Sequence, residues 1–196
     1  MRNPLRRLYN WVLHWADTPY GGYALASIAF SESVFFPIPP DILLIPLALS
    51  KPKRAFTYAT ITTALSVIGG IAGYIVGLWL MERVGIPLLR FYSAMDEFHT
   101  VADYYNRYNA VAVGIAGFTP IPFKVFTIAA GACRINFPTF VLAATVSRGA
   151  RFFIVSTLLF FFGKDAKTFI DKYFNILALI FGLLILLGFV LLRFVI

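Results

Sequence analysis

The sequence predicts an all-α integral membrane protein, built as an inverted repeat of two proline-broken re-entrant helical hairpins, each followed by a transmembrane helix. Three observations lead to this fold class. Of the 196 residues, 60% are hydrophobic and 13% are charged. Two apolar segments carry the same Pro-Ile-Pro break, and several ionisable residues lie inside apolar stretches. A soluble domain of this length could not bury so much apolar surface.

The net charge of +8 does not indicate a nucleic-acid-binding protein, because the basic residues lie mainly in short stretches that flank apolar runs. Lys and Arg in such positions orient a chain across a bilayer and contact anionic headgroups. The single cysteine, Cys133, excludes an internal disulfide, and with only His14 and His99 beside it a metal site is not expected. We therefore expect membrane lipids as partners and no cofactor.

The two breaks are related by one constant offset along the chain, which aligns the first segment with the second. At this offset five of 14 positions are identical: Phe35, Pro37, Ile38, Pro39 and Ile45 match Phe118, Pro120, Ile121, Pro122 and Ile128. Chance similarity between apolar segments explains a shared isoleucine, but it explains two Pro-Ile-Pro breaks poorly. We interpret the pair as an internal duplication.

Proline removes a backbone donor and disfavours a helical residue before it, so neither segment is expected to be one straight helix. The predicted breaks are Pro37, Pro39 and Pro40 in the first segment, and Pro120 and Pro122 in the second. In hydrocarbon, the freed carbonyl groups must face protein or a wet cavity. Each limb of the first segment is shorter than the ~30 Å apolar core, so the segment is either a re-entrant hairpin or one broken crossing.

We expect one membrane domain spanning residues 1–196. Placing the N-terminus in the cytoplasm puts nine basic residues inside and five outside. The glycines at positions 69, 73 and 77 form a ridge that predicts close internal helix contact. The predicted parts are an interfacial segment 1–21, a hairpin plus transmembrane helix 22–80, an interfacial connector 82–108, a second hairpin plus transmembrane helix 110–163, and a C-terminal transmembrane helix 174–196.

Five ionisable residues are expected at membrane depth: Glu32, Asp41, Lys124, Arg148 and Arg151. Each costs at least ~2.5–3.5 kcal/mol on insertion scales, so partners or water are expected around them. One interpretation is structural, with the two acids simply neutralised by the three cations. It gives no reason for two proline breaks in the same place.

The functional interpretation uses the same charges. Lys124, Arg148 and Arg151 are candidates to bind a phosphate group, the arginines in bidentate form. Helices that start after Pro39 and Pro122 would add positive dipole ends that favour an anion. Glu32 and Asp41 are candidates for proton coupling, because burial favours the protonated carboxyl group whereas nearby cations favour the ionised form.

These residues resemble a known family. Glu32 ahead of Phe36-Pro-Ile-Pro-Pro-Asp41, together with Gly117-Phe-Thr-Pro-Ile-Pro-Phe-Lys124 and Ala-Ala-Gly131, is similar to the DedA/VTT (SNARE-associated Golgi-like) superfamily of membrane proteins, in particular its short bacterial YqaA-type branch. The resemblance implies a multi-pass protein of the bacterial plasma membrane with two opposed re-entrant hairpins. It also implies lipid translocation, either recycling of undecaprenyl phosphate driven by the proton-motive force or scrambling of phospholipids.

By motif position, Glu32 and Asp41 match the family's acidic pair. Lys124 takes the place of the second arginine in the pattern Gly-Arg-x-x-Pro-x-x-Arg. Phe118 stands where the first arginine is usual, so the phosphate clamp lacks one cation, and Arg148 and Arg151 are the candidates to replace it.

The leading hypothesis is a lipid transporter whose substrate has an anionic phosphate head, with protons as a second partner. The alternatives are a cation/proton antiporter that uses Glu32 and Asp41, and a membrane scaffold whose buried charges only lock its fold. We do not expect an enzyme, because the sequence shows no nucleophile elbow, metal cluster or phosphate loop. The sequence leaves open whether the chain forms a homo-oligomer.

Overall fold

The computed structural model describes residues 20–119 and 122–163, and within these ranges the chain forms helices and no strands. The all-helical fold class is therefore confirmed for the described residues. Most of the interfacial segment predicted over 1–21, and the whole C-terminal span predicted over 174–196, lie outside them.

The described helices follow the apolar segments of the sequence. The helices are α1 (Gly21–Glu32), α2 (Asp41–Ser50), α3 (Ala55–Leu80), α4 (Ile86–Phe91), α5 (Met95–Phe118), α6 (Phe123–Ala132) and α7 (Phe137–Gly163). Helices α3 and α4 belong to one continuous helical element, together with a 3₁₀ turn over Pro52–Arg54 and a π-helical stretch over Met81–Gly85.

Two of these elements are long and apolar enough to cross a membrane, namely Pro52–Phe91 and α7. They coincide with the spans predicted after the two breaks. Helix α7 begins at Phe137, directly after Asn136, whose side-chain oxygen accepts a hydrogen bond from the Thr139 backbone N–H at 3.0 Å. This contact satisfies one of the free N–H groups at the helix start.

The first break separates two short helices, with 12 residues in α1 and 10 in α2. The chain leaves helical geometry after Ser33, and α2 starts directly after Pro40. The start of α1, at Gly22 and Tyr23, and the end of α2, at Lys51, line one cavity. The two helices therefore run back along each other, and their apolar side chains share one core cluster.

The second break has the same form. Helix α5 ends at Phe118, Thr119 and Pro122 have extended backbone conformations, and α6 begins at Phe123. The Tyr105 hydroxyl donates to the Phe126 carbonyl at 3.0 Å. The Asn106 amide, one residue along, donates to the Cys133 carbonyl at 3.3 Å. Helix α6 thus runs back along α5.

The structure differs from the predicted connector over 82–108. Glu82 and Arg83 lie in the π-helical stretch that extends α3 into α4, and the chain breaks only around Ser93, whose φ is +54°. Helix α5 then runs without interruption through the predicted boundary at residue 109. Charged residues ended the apolar span in the sequence, but the backbone stays helical because a helix does not require apolar side chains outside the bilayer.

Helix α3 holds the two halves together through its glycine ridge. A Cβ atom added at Gly69 would overlap the Phe30 carbonyl oxygen of α1, and one at Gly77 would overlap the Ile128 carbonyl oxygen of α6. Only glycine allows backbones to approach this closely. The ridge therefore serves internal helix contact, as the sequence predicted, and it brings the ends of both breaks to one place.

Candidate functional site

The five ionisable residues predicted at membrane depth form one cluster between the two breaks. Glu32 is the last residue of α1, and Asp41 is the first of α2. Lys124 lies in the first turn of α6, and Arg148 and Arg151 lie one turn apart on α7. The cluster thus draws on both breaks and on the helix that follows the second break.

Arg148 is the most enclosed member of the cluster, with a side chain only 2% exposed. Its Nη2 donates to Glu32 Oε2 at 2.6 Å, and its Nε donates to Ser66 Oγ on α3 at 2.7 Å. The guanidinium carbon lies 4.8 Å from the ring centre of Phe123 and 4.9 Å from that of Phe152. A carboxylate, a hydroxyl group and two aromatic faces therefore hold this cation in place.

Two serines extend this contact. The hydroxyl of Ser66 lies 2.8 Å from that of Ser33, which follows Glu32 in the chain. Ser33 Oγ lies 3.3 Å from Glu32 Oε2, so the arginine, the two serines and the carboxylate form a closed ring of hydrogen bonds. Both serine side chains are buried. In a low-dielectric setting such a satisfied network fixes one arrangement of its side chains.

Arg151 bridges the two breaks. Its Nη2 donates to the carboxylate of Asp41 at the start of α2. Its Nη1 donates to the Thr119 carbonyl, just beyond the end of α5, at 3.1 Å. Its side chain is 17% exposed and that of Asp41 is 14% exposed, so this pair is more accessible than Arg148.

Lys124, which follows the second break, donates hydrogen bonds to the backbone of the first break. Its Nζ donates to the Phe36 carbonyl at 3.1 Å, next to Pro37, and lies 3.5 Å from the Phe35 carbonyl. Thr127, one turn along α6, lies with its hydroxyl 3.3 Å from the Ser33 carbonyl. The second break therefore supplies donors to carbonyl groups that the first break leaves without helical partners.

The charges of the cluster do not balance. Three cations face two carboxylates, so with all groups ionised the cluster has a net charge of +3 − 2 = +1. Within the described ranges both carboxylates form ion pairs with arginines, whereas Lys124 forms hydrogen bonds only with backbone carbonyl groups. Asp41 pairs with Arg151 and not with Lys124, although Asp41 and Lys124 each lie at the start of the short helix that follows a break.

The break prolines border this cluster to different extents. Pro37 is exposed, Pro39 and Pro122 are half-buried and Pro40 is buried, while Pro120 lies outside the described residues. Pro40 and Pro122 each directly precede the first residue of a short helix. A proline just before a helix start gives up no intrahelical hydrogen bond, so the breaks end one helix and start the next.

Sequence reasoning missed the two serines and the Thr119 carbonyl. A comparison of depth could have found Ser66, because it lies as far into α3 as Arg148 lies into α7. Two polar side chains at equal depth in two apolar helices are expected to seek each other. No sequence signal identifies the Thr119 carbonyl, since every residue carries one.

We predict that Ser66→Ala destabilises the protein by about 1–3 kcal/mol, because it leaves the buried Nε of Arg148 without an acceptor. Ser156→Ala on α7 is the matched control: its hydroxyl is also buried but has no hydrogen-bond partner among the described residues. Thermal unfolding in detergent should show a lower midpoint for Ser66→Ala and an unchanged or higher one for Ser156→Ala. Equal midpoints for both variants would contradict the role given to Ser66.

Comparison with known proteins places the chain in a family. The VTT domain matches residues 36–161, which include Asp41, Lys124, Arg148 and Arg151. An uncharacterized protein of Haemophilus influenzae is 35% identical over 171 residues, covering 87% of this chain and 88% of the relative. A homologous uncharacterized protein of Histophilus somni is 36% identical over 157 residues, covering 80% and 82%.

A more distant relative, an uncharacterized protein of Methanocaldococcus jannaschii, is 27% identical over 129 residues, or 66% of this chain and 78% of the relative. No solved structure gives a significant match. The domain match covers well over half of the chain, and it agrees with the two apolar helices that are long enough to cross a bilayer. The chain belongs to the VTT-domain (DedA) family of membrane proteins.

Proposed function

We propose that this protein is a transporter that moves a lipid with an anionic phosphate head between the leaflets of the membrane, coupled to proton movement. The observation that carries the proposal is the excess positive charge of the enclosed cluster between the two breaks. The resemblance to the family indicates undecaprenyl phosphate or a phospholipid as the substrate.

The position of the cluster supports this function. Arg148 lies as far from the start of α7 as Ser66 lies from the start of α3. At the helical rise, each residue lies roughly 16 Å from the first residue of its helix. This distance is close to half the thickness of a ~30 Å apolar core. An unbalanced charge at this depth is costly, so an anion that neutralises it is bound favourably.

The contacts divide the three cations into two kinds. Arg148 donates to Glu32 and Ser66 and lies against two aromatic rings, so we assign it a positioning role. Arg151 and Lys124 each donate to a backbone carbonyl group that a phosphate oxygen can replace. A charge-assisted hydrogen bond to phosphate is stronger than one to a neutral carbonyl, so both side chains gain by the exchange.

Proton coupling needs a further exchange at Arg151. When phosphate oxygens also accept the hydrogen bond that Nη2 of Arg151 donates to Asp41, this carboxylate loses the partner that stabilises its charge. A carboxylate left without a cation in a low-dielectric site binds a proton more readily. Substrate binding and proton uptake at Asp41 then occur together, and Glu32, paired with the fixed Arg148, is the second coupling candidate.

Alternating access follows from the arrangement of the breaks. We propose that the pairs α1–α2 and α5–α6 are re-entrant hairpins that enter from opposite faces, as parts of an inverted repeat. The contacts of Lys124 and Arg151 lie between the hairpins, so exchange of those contacts for substrate oxygens loosens one hairpin from the other. Rocking of repeats around a central site is a common transport mechanism.

The contacts of the cluster disfavour one of the two alternative functions and partly favour the other. A cation/proton antiporter needs carboxylates that are free to bind a cation, but both acids of the cluster are paired with arginines and the cluster has excess positive charge. A scaffold with structurally paired charges is favoured by this complete pairing of the acids. It does not require the positive charge of Lys124, because a neutral donor would also serve the Phe36 carbonyl.

We predict that Lys124→Gln lowers the rate of lipid translocation about 10- to 100-fold, because it removes one charge-assisted hydrogen bond to phosphate. The assay uses purified protein in liposomes with labelled undecaprenyl phosphate or labelled phospholipid. Lys53→Gln is the control, since Lys53 is exposed and outside the cluster. Absence of translocation by the wild-type protein, with native stability, would leave the scaffold interpretation.

We predict that Asp41→Asn makes translocation insensitive to an imposed pH gradient, since an amide cannot take up the proton. Glu32→Gln is expected to have the same effect, but it also weakens the partner of a buried arginine, so its thermal stability must be measured in parallel. Asp96→Asn, at an acid on α5 that lies outside the cluster, is the control. A normal pH response in both cluster variants would refute the coupling role.

We predict the membrane topology from the hairpin arrangement. After replacement of Cys133, single cysteines at Asn10, Lys53, Asp96 and Lys167 are labelled from outside with a membrane-impermeant reagent. Re-entrant hairpins place residues 10, 53 and 167 on one face and residue 96 on the other. If the first segment were one broken crossing, residue 53 would be labelled from the face opposite to residue 10.

A further inference from the structure

The prolines of the first break remove the helical donors of three carbonyl groups. In an α-helix, the donor to each carbonyl is the backbone N–H four residues later, and proline has no N–H. A proline stands four residues after Ser33, after Phe35 and after Phe36. These three carbonyl groups need donors from elsewhere in the protein, because lipid offers none.

Helix α6 supplies donors to these same three carbonyl groups. Lys124 Nζ donates to the Phe36 carbonyl at 3.1 Å and lies 3.5 Å from the Phe35 carbonyl. The hydroxyl of Thr127, in the next turn of α6, donates to the Ser33 carbonyl at 3.3 Å. Among the residues that the structure describes, the carbonyl groups left by the prolines are therefore the ones that Lys124 and Thr127 serve.

The glycine ridge of α3 holds the Thr127 side chain, which is fully buried, in one orientation. A Cβ atom added at Gly73 would overlap the Thr127 hydroxyl oxygen and would lie 3.2 Å from the Ser33 carbonyl oxygen. A Cβ atom added at Gly70 would lie 3.4 Å from the Thr127 methyl carbon. The hydroxyl group thus lies beside Gly73 and the methyl group beside Gly70, and the glycine at position 73 leaves room for the hydrogen bond to Ser33.

The carbonyl group that Thr127 serves belongs to the residue next to Glu32. The side chain of this residue, Ser33, is held by the Ser66 hydroxyl at 2.8 Å, and its backbone carbonyl is held by Thr127 at 3.3 Å. Glu32 Oε2 in turn accepts from Arg148 Nη2 at 2.6 Å. Thr127 therefore fixes the part of the backbone from which Glu32 reaches Arg148.

The Thr127 hydroxyl has a second acceptor within its own helix. Its oxygen lies 2.9 Å from the carbonyl oxygen of Lys124, in the preceding turn of α6. A hydroxyl group has one proton to donate, so it serves one of the two carbonyl groups at a time. When the end of α1 moves away from α6, the hydroxyl keeps an acceptor at Lys124, whereas the Ser33 carbonyl needs water in place of its donor.

We propose that Thr127 is a positioning residue of the charged cluster, which acts through Glu32 and changes its acceptor when the two pairs of short helices part. In the closed arrangement its hydroxyl donates to the Ser33 carbonyl and holds the end of α1 against α6. In the parted arrangement it donates to the Lys124 carbonyl. The change of acceptor rests on the proposed function, since it requires one pair of helices to move relative to the other.

The test is hydrogen–deuterium exchange of the full-length protein in detergent micelles, followed by mass spectrometry of peptides that cover the first break. Thr127→Val removes the hydroxyl group and nearly keeps the shape of the side chain, so the Ser33 carbonyl loses its donor only in the closed arrangement. The backbone N–H groups of residues 34–36, which donate to the Ser31 carbonyl, should then exchange about tenfold faster. Exchange in α7 should not change.

Two further variants isolate the role of the hydroxyl group. Thr127→Ser keeps it and should restore the wild-type exchange rate. Thr62→Val is the matched control, because the Thr62 side chain is equally buried but its hydroxyl donates to the Tyr58 carbonyl of its own helix at 2.7 Å. The proposal is overturned by an unchanged rate in Thr127→Val, or by an equal increase in Thr127→Ser or Thr62→Val. An increase that extends equally through α7 would also overturn it, since this result indicates a general loss of stability.

Addition of undecaprenyl phosphate separates this inference from the proposed function. Binding of the lipid at Lys124 should speed exchange at residues 34–36 of the wild-type protein, because the Phe36 carbonyl loses its donor. If the lipid has no effect but Thr127→Val exchanges faster, the change of acceptor is overturned together with transport of this lipid, and the positioning role stands. If the lipid speeds exchange but Thr127→Val does not, the role of Thr127 is overturned and the transport proposal stands.

Discussion

The fold depends on the requirement that a guanidinium group buried between helices must be compensated by polar and aromatic partners. Arg148 meets it through Glu32 of α1, Ser66 of α3 and the rings of Phe123 and Phe152. These partners come from four helices. Breaking one side of such a buried pair typically costs about 3–5 kcal/mol, so the position of each helix is tied to this one side chain.

The proline breaks pose a second requirement, and the same region meets it. Each break leaves carbonyl groups without helical donors, and lipid cannot supply them. Lys124 donates to the Phe36 carbonyl of the first break, and Arg151 donates to the Thr119 carbonyl of the second. The cations that serve the backbone at rest are therefore also the ones whose bonds a phosphate can take over. Under the proposed function, the same contacts therefore have both a structural role and a role in substrate binding.

Much of this arrangement could be predicted from the sequence, because the dominant signals are local. The prolines predict both breaks, and the short helices α2 and α6 start after Pro39 and Pro122, as the sequence predicts. Apolar periodicity does not show where a helix continues beyond the membrane, and for that reason the extension of α3 through Met81–Gly85 was missed. The connector over 82–108 is predicted as a separate element only if charged residues are assumed to end a helix.

The partners within the cluster were harder to predict than its members. Counting residues along a helix gives the depth of a side chain, but the direction in which it points depends on helix rotation, which distant contacts set. Gly117 is one such contact: a Cβ there would overlap the Ser147 hydroxyl, so its absence lets α5 approach α7 beside Arg148. In the resulting helix orientations, Asp41 pairs with Arg151, and Lys124 donates to backbone carbonyl groups.

The central claim, that a buried cross-helix ion pair determines the arrangement of both breaks, is tested most directly by a double-mutant cycle on Glu32 and Arg148. The free energy of unfolding would be measured in mixed micelles for Glu32→Gln, Arg148→Met and the double variant. We expect a coupling energy of about 2–3 kcal/mol, since the double variant no longer buries an unpaired charge. Additivity of the two single changes to within about 0.5 kcal/mol would contradict it.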